Sequence, residues 1–234
     1  MKGQSIIEEA RRASRTLLNE VESKALLREA WIPTVETLFA RSKEESVLIS
    51  KKLGFPVVLK IVSPEITHKS DVGGVRLGLK TSKQVGAAYE EMVSVVRRKY
   101  PEAEIEGVSV QKMANPGTEI IIGMTKDAQF GPVLMFGLGG ILVELLKDIA
   151  FRIVPLERKD AREMIREIKG YKLLEGFRGR EPVDVADLEE MLLKVSQFVD
   201  SNPDIKEIDL NPILAYKDGA VAVDARVILE RNPA

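Results

Sequence analysis

His68 is the only histidine of the chain, and it stands in THKSDVGGV, residues 67–75. A neutral imidazole is a nitrogen nucleophile that can accept a phosphoryl group. Lys69, its neighbour, would favour the neutral form and attract an incoming phosphate. Thr67 and Ser70 add hydroxyls. Gly73 and Gly74 permit positive φ and close backbone approach, and successive N–H groups in such a turn can cradle an anion. The competing reading is an ordinary hairpin-like turn with a structural or surface histidine. Residue type and spacing leave both open.

Lys60 is the second candidate. It interrupts the apolar run PVVLKIV, residues 56–62. Strand alternation puts Val58, Lys60 and Val62 on one face and Val57, Leu59 and Ile61 on the other. An unpaired buried ammonium is costly, so the lysine either runs its stem out to solvent or serves as a fixed positive charge for a phosphate. Acids gather near the C-terminal end. In EIDLNP, Glu207, Asp209 and Asn211 share a face, with Ile208 and Leu210 opposite, and Asp224 belongs to the strand expected to pair with it. Such oxygen ligands suit magnesium, which takes one or two carboxylates and leaves positions for substrate phosphates. A merely solvated sheet face would carry the same residues. Glu119 opens TEIIIGMT, and FGLGGILVE (136–144) joins a glycine-rich turn to Glu144. Neither GxxxxGK[ST] nor GxGxxG occurs, which disfavours P-loop and Rossmann readings.

Composition sets the outer limits. Hydrophobic residues make up 44% and charged residues 30% of 234, a globular profile long enough for one large domain or two lobes. Thirty-five basic against 36 acidic residues give a formal charge of −1, so nothing global calls for nucleic acid or membrane. There is no cysteine, which excludes disulfides, thiol nucleophiles and thiolate zinc sites. The N-terminus lacks the apolar core of a signal peptide, and no apolar run spans a bilayer, so a cytoplasmic location is expected.

The elements that must position these residues follow from periodicity. Ile6, Ala10, Ala13, Leu17 and Val21 recur at helical steps. A second short helix is expected after Ser23 as N-cap. A strand follows Pro33 through Phe39, and Ser42 caps a helix that Gly54 stops. Strands are expected at 56–62, from Gly73 to Thr81, and at 106–113, 118–125 and 132–137. Helices are expected at 82–100, 158–168 and 185–200. Two final strands, IKEIDLNPIL and GAVAVDARVIL, meet at a Lys217-Asp218-Gly219 turn. This mixture without βαβ alternation predicts an α+β class. Asn115-Pro116-Gly117 marks a breaker, and the division expected is 1–110, N-terminal helices with the first lobe, against 111–234, the second lobe with the acidic hairpin.

Several of these runs together resemble the β subunit of ADP-forming acyl-CoA synthetases (acetate–CoA ligase, ADP-forming), relatives of succinyl-CoA synthetase. They are ALLREAWIPTVET, GFPVVLKIVSPEITHKSDVGGV, PGTEIIIGMTKDAQFGPVLMFGLGGILVE, FRIVPL and EIDLNPILAYKDGAVAVDARV. The resemblance implies an ATP-grasp fold, two lobes enclosing ATP or ADP. It implies that Lys60 contacts phosphate, and that Lys69, Ser70, Gly73 and Gly74 belong to the glycine-rich loop over the phosphates. Gln111, Lys112 and Met113 would meet adenine at the hinge, and Glu119 would lie near ribose or metal. Asn211 and Asp224, with Asp209 beside them, would hold Mg²⁺. His68 would be a second phosphoryl carrier. Succinyl-CoA synthetase β chains lack a histidine in this loop, so the relay belongs to the narrower family. The implied reaction is acyl-CoA, phosphate and ADP giving carboxylate, CoA and ATP. It needs a CoA-binding α subunit, with two α and two β chains expected.

Two other readings use the same residues. A self-contained ATP-grasp carboxylate ligase would release ADP with an acid and no partner. A non-catalytic nucleotide-sensing domain would be expected to have lost some of Lys60, His68, Asn211 and Asp224.

Overall fold

The computed structural model describes residues 2–66, 69–140, 147–179 and 181–231. The chain divides into two compact units. The smaller holds Asn19–Val21 and Val35–Asn115, and the larger holds Met1–Leu18, Glu22–Thr34 and Pro116–Ala234. The N-terminal helices therefore group with the C-terminal half, unlike the division at 110/111 expected from sequence. The physical reason is burial: Ile7, Ala10, Leu18, Leu26, Leu27 and Ile32 join the core formed by Ile120, Phe136, Leu192 and Leu210.

The smaller unit is a four-stranded antiparallel sheet in the order β1-β4-β2-β3. Its strands are β1 (Thr37–Ala40), β2 (Val57–Val62), β3 (Val75–Leu79) and β4 (Gly107–Lys112). Helices α3 (Lys43–Leu53) and α4 (Ser82–Lys99) pack on it. Both start where a hydroxyl can cap. Ser42 accepts the Glu45 N–H at 3.1 Å and Thr81 the Gln84 N–H at 3.2 Å. Gly54, at φ +80°, ends α3 as expected. Val57, Leu59 and Ile61 face the helices and join Val85, Met92, Val108 and Val110 in one core. Each such aliphatic side chain contributes roughly 1.5–3 kcal/mol by burial.

The larger unit is built on a six-stranded antiparallel sheet in the order β10-β8-β5-β6-β7, with β9 paired to β8. The strands are β5 (Thr118–Asp127), β6 (Gly131–Leu138), β7 (Ile149–Ile153), β8 (Ile205–Tyr216), β9 (Gly219–Ala222) and β10 (Arg226–Leu229). Four helices belong with it or begin at its border: α1 (Lys2–Arg12), α2 (Glu20–Glu29), α5 (Arg158–Glu167) and α7 (Val185–Asp200), with a single turn α6 (Tyr171–Leu174). Among the described residues no helix is long and apolar enough to cross a membrane.

Several elements differ from the sequence expectation. The first helix stops at Arg12, so Ala13, Leu17 and Val21 do not continue its face; Leu17 bridges to Ile228 instead. Ser23 lies inside α2 rather than at its start; its Oγ accepts the Val227 N–H and donates to the Leu18 carbonyl. The final strand is two, β9 and β10, because β9 pairs with the C-terminal half of β8 and β10 with its N-terminal half. Asp224 stands in the break between them, not in a pairing strand. Another is β7, which overlaps the start of FRIVPL and which periodicity does not predict; it is an edge strand of the sheet, too short for a clear period.

Candidate functional site

In the smaller unit the sheet face away from the α3–α4 core carries the polar residues. Cross-strand register sets Lys60 opposite Ser109 and Val58 opposite Gln111, with Thr37 opposite Gln111 on the other side. Lys60 is 5% exposed, so its stem does not run out to water. Its Nζ donates to Glu20 Oε1 at 2.7 Å. Lys69 Nζ donates to Glu20 Oε2 at 3.0 Å, and Ser109 Oγ lies 3.5 Å from that same oxygen. Two of the expected cations are thus gathered by one buried carboxylate that sequence reasoning missed. Glu20 gives no local signal: it is an ordinary acid in the first turn of a helix, and its partners are 40 and 49 residues away.

The glycine loop behaves differently from expectation. The Gly73 N–H is bonded to the Ser70 carbonyl at 3.1 Å and the Gly74 N–H to the Lys69 carbonyl at 2.7 Å. Those donors close the turn and do not form an anion cradle in this arrangement. The glycines are required sterically instead. Gly73 has φ +74°, and a Cβ on Gly74 would lie 2.7 Å from Ile61 Cγ2. Ser70 is exposed. Thr67 and His68 lie outside the described residues, as does Glu144.

Of the three residues expected at the hinge, Gln111 is buried, with Oε1 3.4 Å from the Thr37 hydroxyl. Lys112 is exposed, and Met113 is 36% exposed with its N–H on the Pro56 carbonyl. The Met113 side chain is the surface that an aromatic ring could cover.

In the larger unit a β-bulge shapes the acidic strand. Ile122 pairs with Leu210 and Ile120 with Ile213, so Asn211 and Pro212 together oppose Ile121. This irregularity lets Leu210 and Ile213 both enter the core while Asp209 and Asn211 point away from it. Asp224 follows directly on an anchored backbone. The Val223 N–H bonds the Pro212 carbonyl at 2.9 Å, and the fully buried Lys24 donates to the Val223 carbonyl at 2.6 Å. Asp224 Oδ1 accepts the Ala225 N–H at 2.9 Å. Glu119 shares the outer face; it packs against the glycine turn, where a Cβ on Gly140 would meet its Oε2 at 2.6 Å.

Across that face Asp209 lies opposite Arg226 on one side and Gly123 on the other, and Gly123 opposite Met135, itself opposite Phe151. The row runs from acidic to apolar. Arg226 bonds Glu207 at 2.7 Å and stands 4.0 Å from Asp209. The Asp209 carboxyl is held above the ordinary carboxylate range, first by burial and then by repulsion from Asp224 and Glu207, with Arg226 opposing. Among the described residues no three Asp, Glu, His or Cys converge into a metal cage. Two mutually repelling carboxylates beside an amide oxygen fit a hard divalent cation that keeps positions for phosphate and water, as magnesium does. Arg226, Met135 and Phe151 were missed from sequence. Arg226 is set beside Asp209 by the β8–β10 register, which no local sequence signal carries.

Comparison with known proteins adds an independent line. The family model for the ATP-grasp domain matches residues 9–229. The Pyrococcus furiosus acetate–CoA ligase [ADP-forming] I subunit beta is 48% identical over 97% of this chain and 98% of its own. A solved structure of Ca. Korarchaeum cryptofilum dinucleotide forming acetyl-coenzyme A synthetase 1, with coenzyme A and Ca-AMPCP, superposes with a TM-score of 0.95 at 48% identity, covering 97% of this chain and 100% of that one. Another structure of that protein carries coenzyme A and Mg-AMPPCP, with its phosphohistidine segment pointing towards the nucleotide binding site. It gives a TM-score of 0.87 at 43% identity and covers 97% of this chain and 100% of that chain.

Proposed function

The chain belongs to the ATP-grasp family, and from that membership we propose that it is the nucleotide-binding β subunit of an ADP-forming acyl-CoA synthetase. The observation that carries the reading is the near-complete match, at 48% identity, to a β subunit of acetate–CoA ligase [ADP-forming]. The overall reaction is acyl-CoA, ADP and phosphate giving carboxylate, CoA and ATP. A separate CoA-binding α subunit forms the acyl phosphate and carries its phosphoryl group as phosphohistidine. The working assembly is two α with two β chains in the cytoplasm.

The residues divide the work by chemistry. His68 accepts the phosphoryl group as the partner's P–N bond breaks, then releases it as a P–O bond forms to the terminal phosphate of ADP. Lys60 and Lys69 offset charge on phosphate oxygens during that transfer. Ser70 offers a hydroxyl beside Lys69, and Gly73 and Gly74 keep the loop's backbone low enough to cover a phosphate. Met113 and the backbone of Gln111 and Lys112 flank the base, and Glu119 faces the ribose. Asp209, Asn211 and Asp224 hold Mg²⁺, which when bound neutralises phosphate charge and aligns the phosphates. Lys24 keeps the backbone before Asp224 fixed.

The test is reconstitution. The purified chain binds Mg-ADP but forms no ATP from acyl-CoA and phosphate until a CoA-binding subunit is added. His68→Ala keeps Mg-ADP binding and abolishes ATP formation in the mixture. Acyl-CoA turnover by the isolated chain sinks the subunit assignment, and undiminished turnover by the histidine variant removes His68 from the mechanism.

A further inference from the structure

We propose that Glu20 is a positioning residue of the phosphate site, whose single carboxylate fixes the Lys60 and Lys69 ammoniums as a pair. This rests on the reading that those lysines contact nucleotide phosphates, and adds a residue which that reading does not use.

The geometry is specific. Each carboxylate oxygen takes one lysine, Oε1 at 2.7 Å from Lys60 and Oε2 at 3.0 Å from Lys69, so the two ammoniums are held within one carboxylate's span of each other. The glutamate side chain is 1% exposed and that of Lys60 7%. Buried charges of this kind tolerate loss of a partner poorly, because the remaining ion is left in a medium that solvates it badly. Two lysines brought close without an anion between them also repel. A carboxylate at this place therefore lets two cations be present together, aimed and ready, before any phosphate arrives. Ser109, 3.5 Å from Oε2, steadies the same oxygen. Local sequence supplies the fixed end: Glu20 is the first residue of α2, where the helix dipole favours a negative charge. Lys60 is fixed from the other side by its place in the central strand β2. Lys69 is the loop member of the pair, in a turn closed by the Gly74 N–H to its own carbonyl. Glu20 is what ties that loop lysine to the strand lysine.

The experiment compares ADP with adenosine on the full chain by calorimetry at fixed salt, for wild type, Glu20→Gln, Lys60→Ala and the double variant. Adenosine shares the base and ribose but has no phosphate. The expected result is that Glu20→Gln weakens ADP by about tenfold or more, leaves adenosine unchanged, and adds less when Lys60 is already alanine, because only Lys69 is then left for it to position. ADP binding as tight as wild type, or tighter, in Glu20→Gln means that the carboxylate only competes with phosphate, and overturns the proposal. Equal losses for ADP and adenosine mean a merely structural role and overturn it too. Unchanged ADP binding in Lys60→Ala would instead bring down the underlying assignment of that lysine. Should Glu20→Gln not fold, Glu20→Asp carries the test. It keeps the charge but shortens the arm, so ADP should weaken while adenosine does not; wild-type ADP affinity in that variant overturns the proposal.

Discussion

At the scale of single residues, the clearest consequence is the opposed stability and binding role of Asp209. Its carboxyl is raised, chiefly by burial, with Asp224 and Glu207 adding repulsion. A raised folded-state value means that the native protein binds this proton more tightly than the unfolded chain. Between the unfolded value, about 3.9, and the raised one, stability falls as pH rises. Asp209→Asn removes the ionised form. The nucleotide-free variant should therefore melt higher than wild type at neutral pH, the advantage shrinking as pH falls through the raised value and vanishing below about 3.9. The same variant should bind Mg-ADP more weakly. Melting curves across pH with paired calorimetry check both; a lower melting temperature at pH 7 would refute the burial argument. Legibility at this scale is uneven for a physical reason. Lys60 stands out because a lysine in an aliphatic strand is anomalous wherever it occurs. Glu20 and Lys24 do not, since their meaning lies in partners 40 and 199 residues away.

At the scale of elements, the legible ones carry their own punctuation. Ser42 and Gly54 bracket α3, and Thr81 opens α4. The end of α2 carries no such mark. There the Ile32 N–H bonds the Leu27 carbonyl at 3.1 Å and the Trp31 N–H the Arg28 carbonyl at 3.0 Å. This is the closing pattern in which glycine is favoured, yet Trp31 occupies the left-handed position at φ 60°. The indole is 82% exposed, so little burial offsets a backbone cost of about 1–2 kcal/mol. Trp31→Gly should stabilise the protein by roughly 0.5–1 kcal/mol after the extra entropy of glycine is subtracted. The denaturant midpoint should rise with an unchanged m-value, and a fall would show that the indole packs productively. The β9–β10 break is illegible for a related reason. GAVAVDARVIL carries no glycine or proline after its first residue to mark a break, and the break falls opposite Asn211-Pro212 in the partner strand, where β8 is bulged against β5.

At the scale of the whole molecule, the α+β class is legible from element types, and the Asn115-Pro116-Gly117 breaker contains the division between Asn115 and Pro116. The grouping of the N-terminal helices is not legible, because amphipathic periodicity shows that a face is buried without showing against what. The ligand expected for the chain gives the remaining prediction. A ligand that binds only the folded state stabilises it by mass action, about 2.7 kcal/mol at a hundredfold excess over Kd. For a chain of this length each kcal/mol moves the melting temperature by about 2–4 °C, so saturating Mg-ADP should raise it by several degrees. On the proposed reading, the lysines and the acidic strand would make separable contributions to that shift. Raising salt weakens the lysine contribution by screening. On the same reading, chelating the metal would remove the contribution of Asp209, Asn211 and Asp224 and leave two carboxylates to repel the ligand's phosphates. ADP with EDTA should therefore stabilise clearly less than Mg-ADP, and in Asp224→Asn the difference between the two should shrink, since one of the repelling charges is gone. A thermal shift for ADP that is indifferent to EDTA would deny the acidic strand its metal role while leaving the lysine pair untouched.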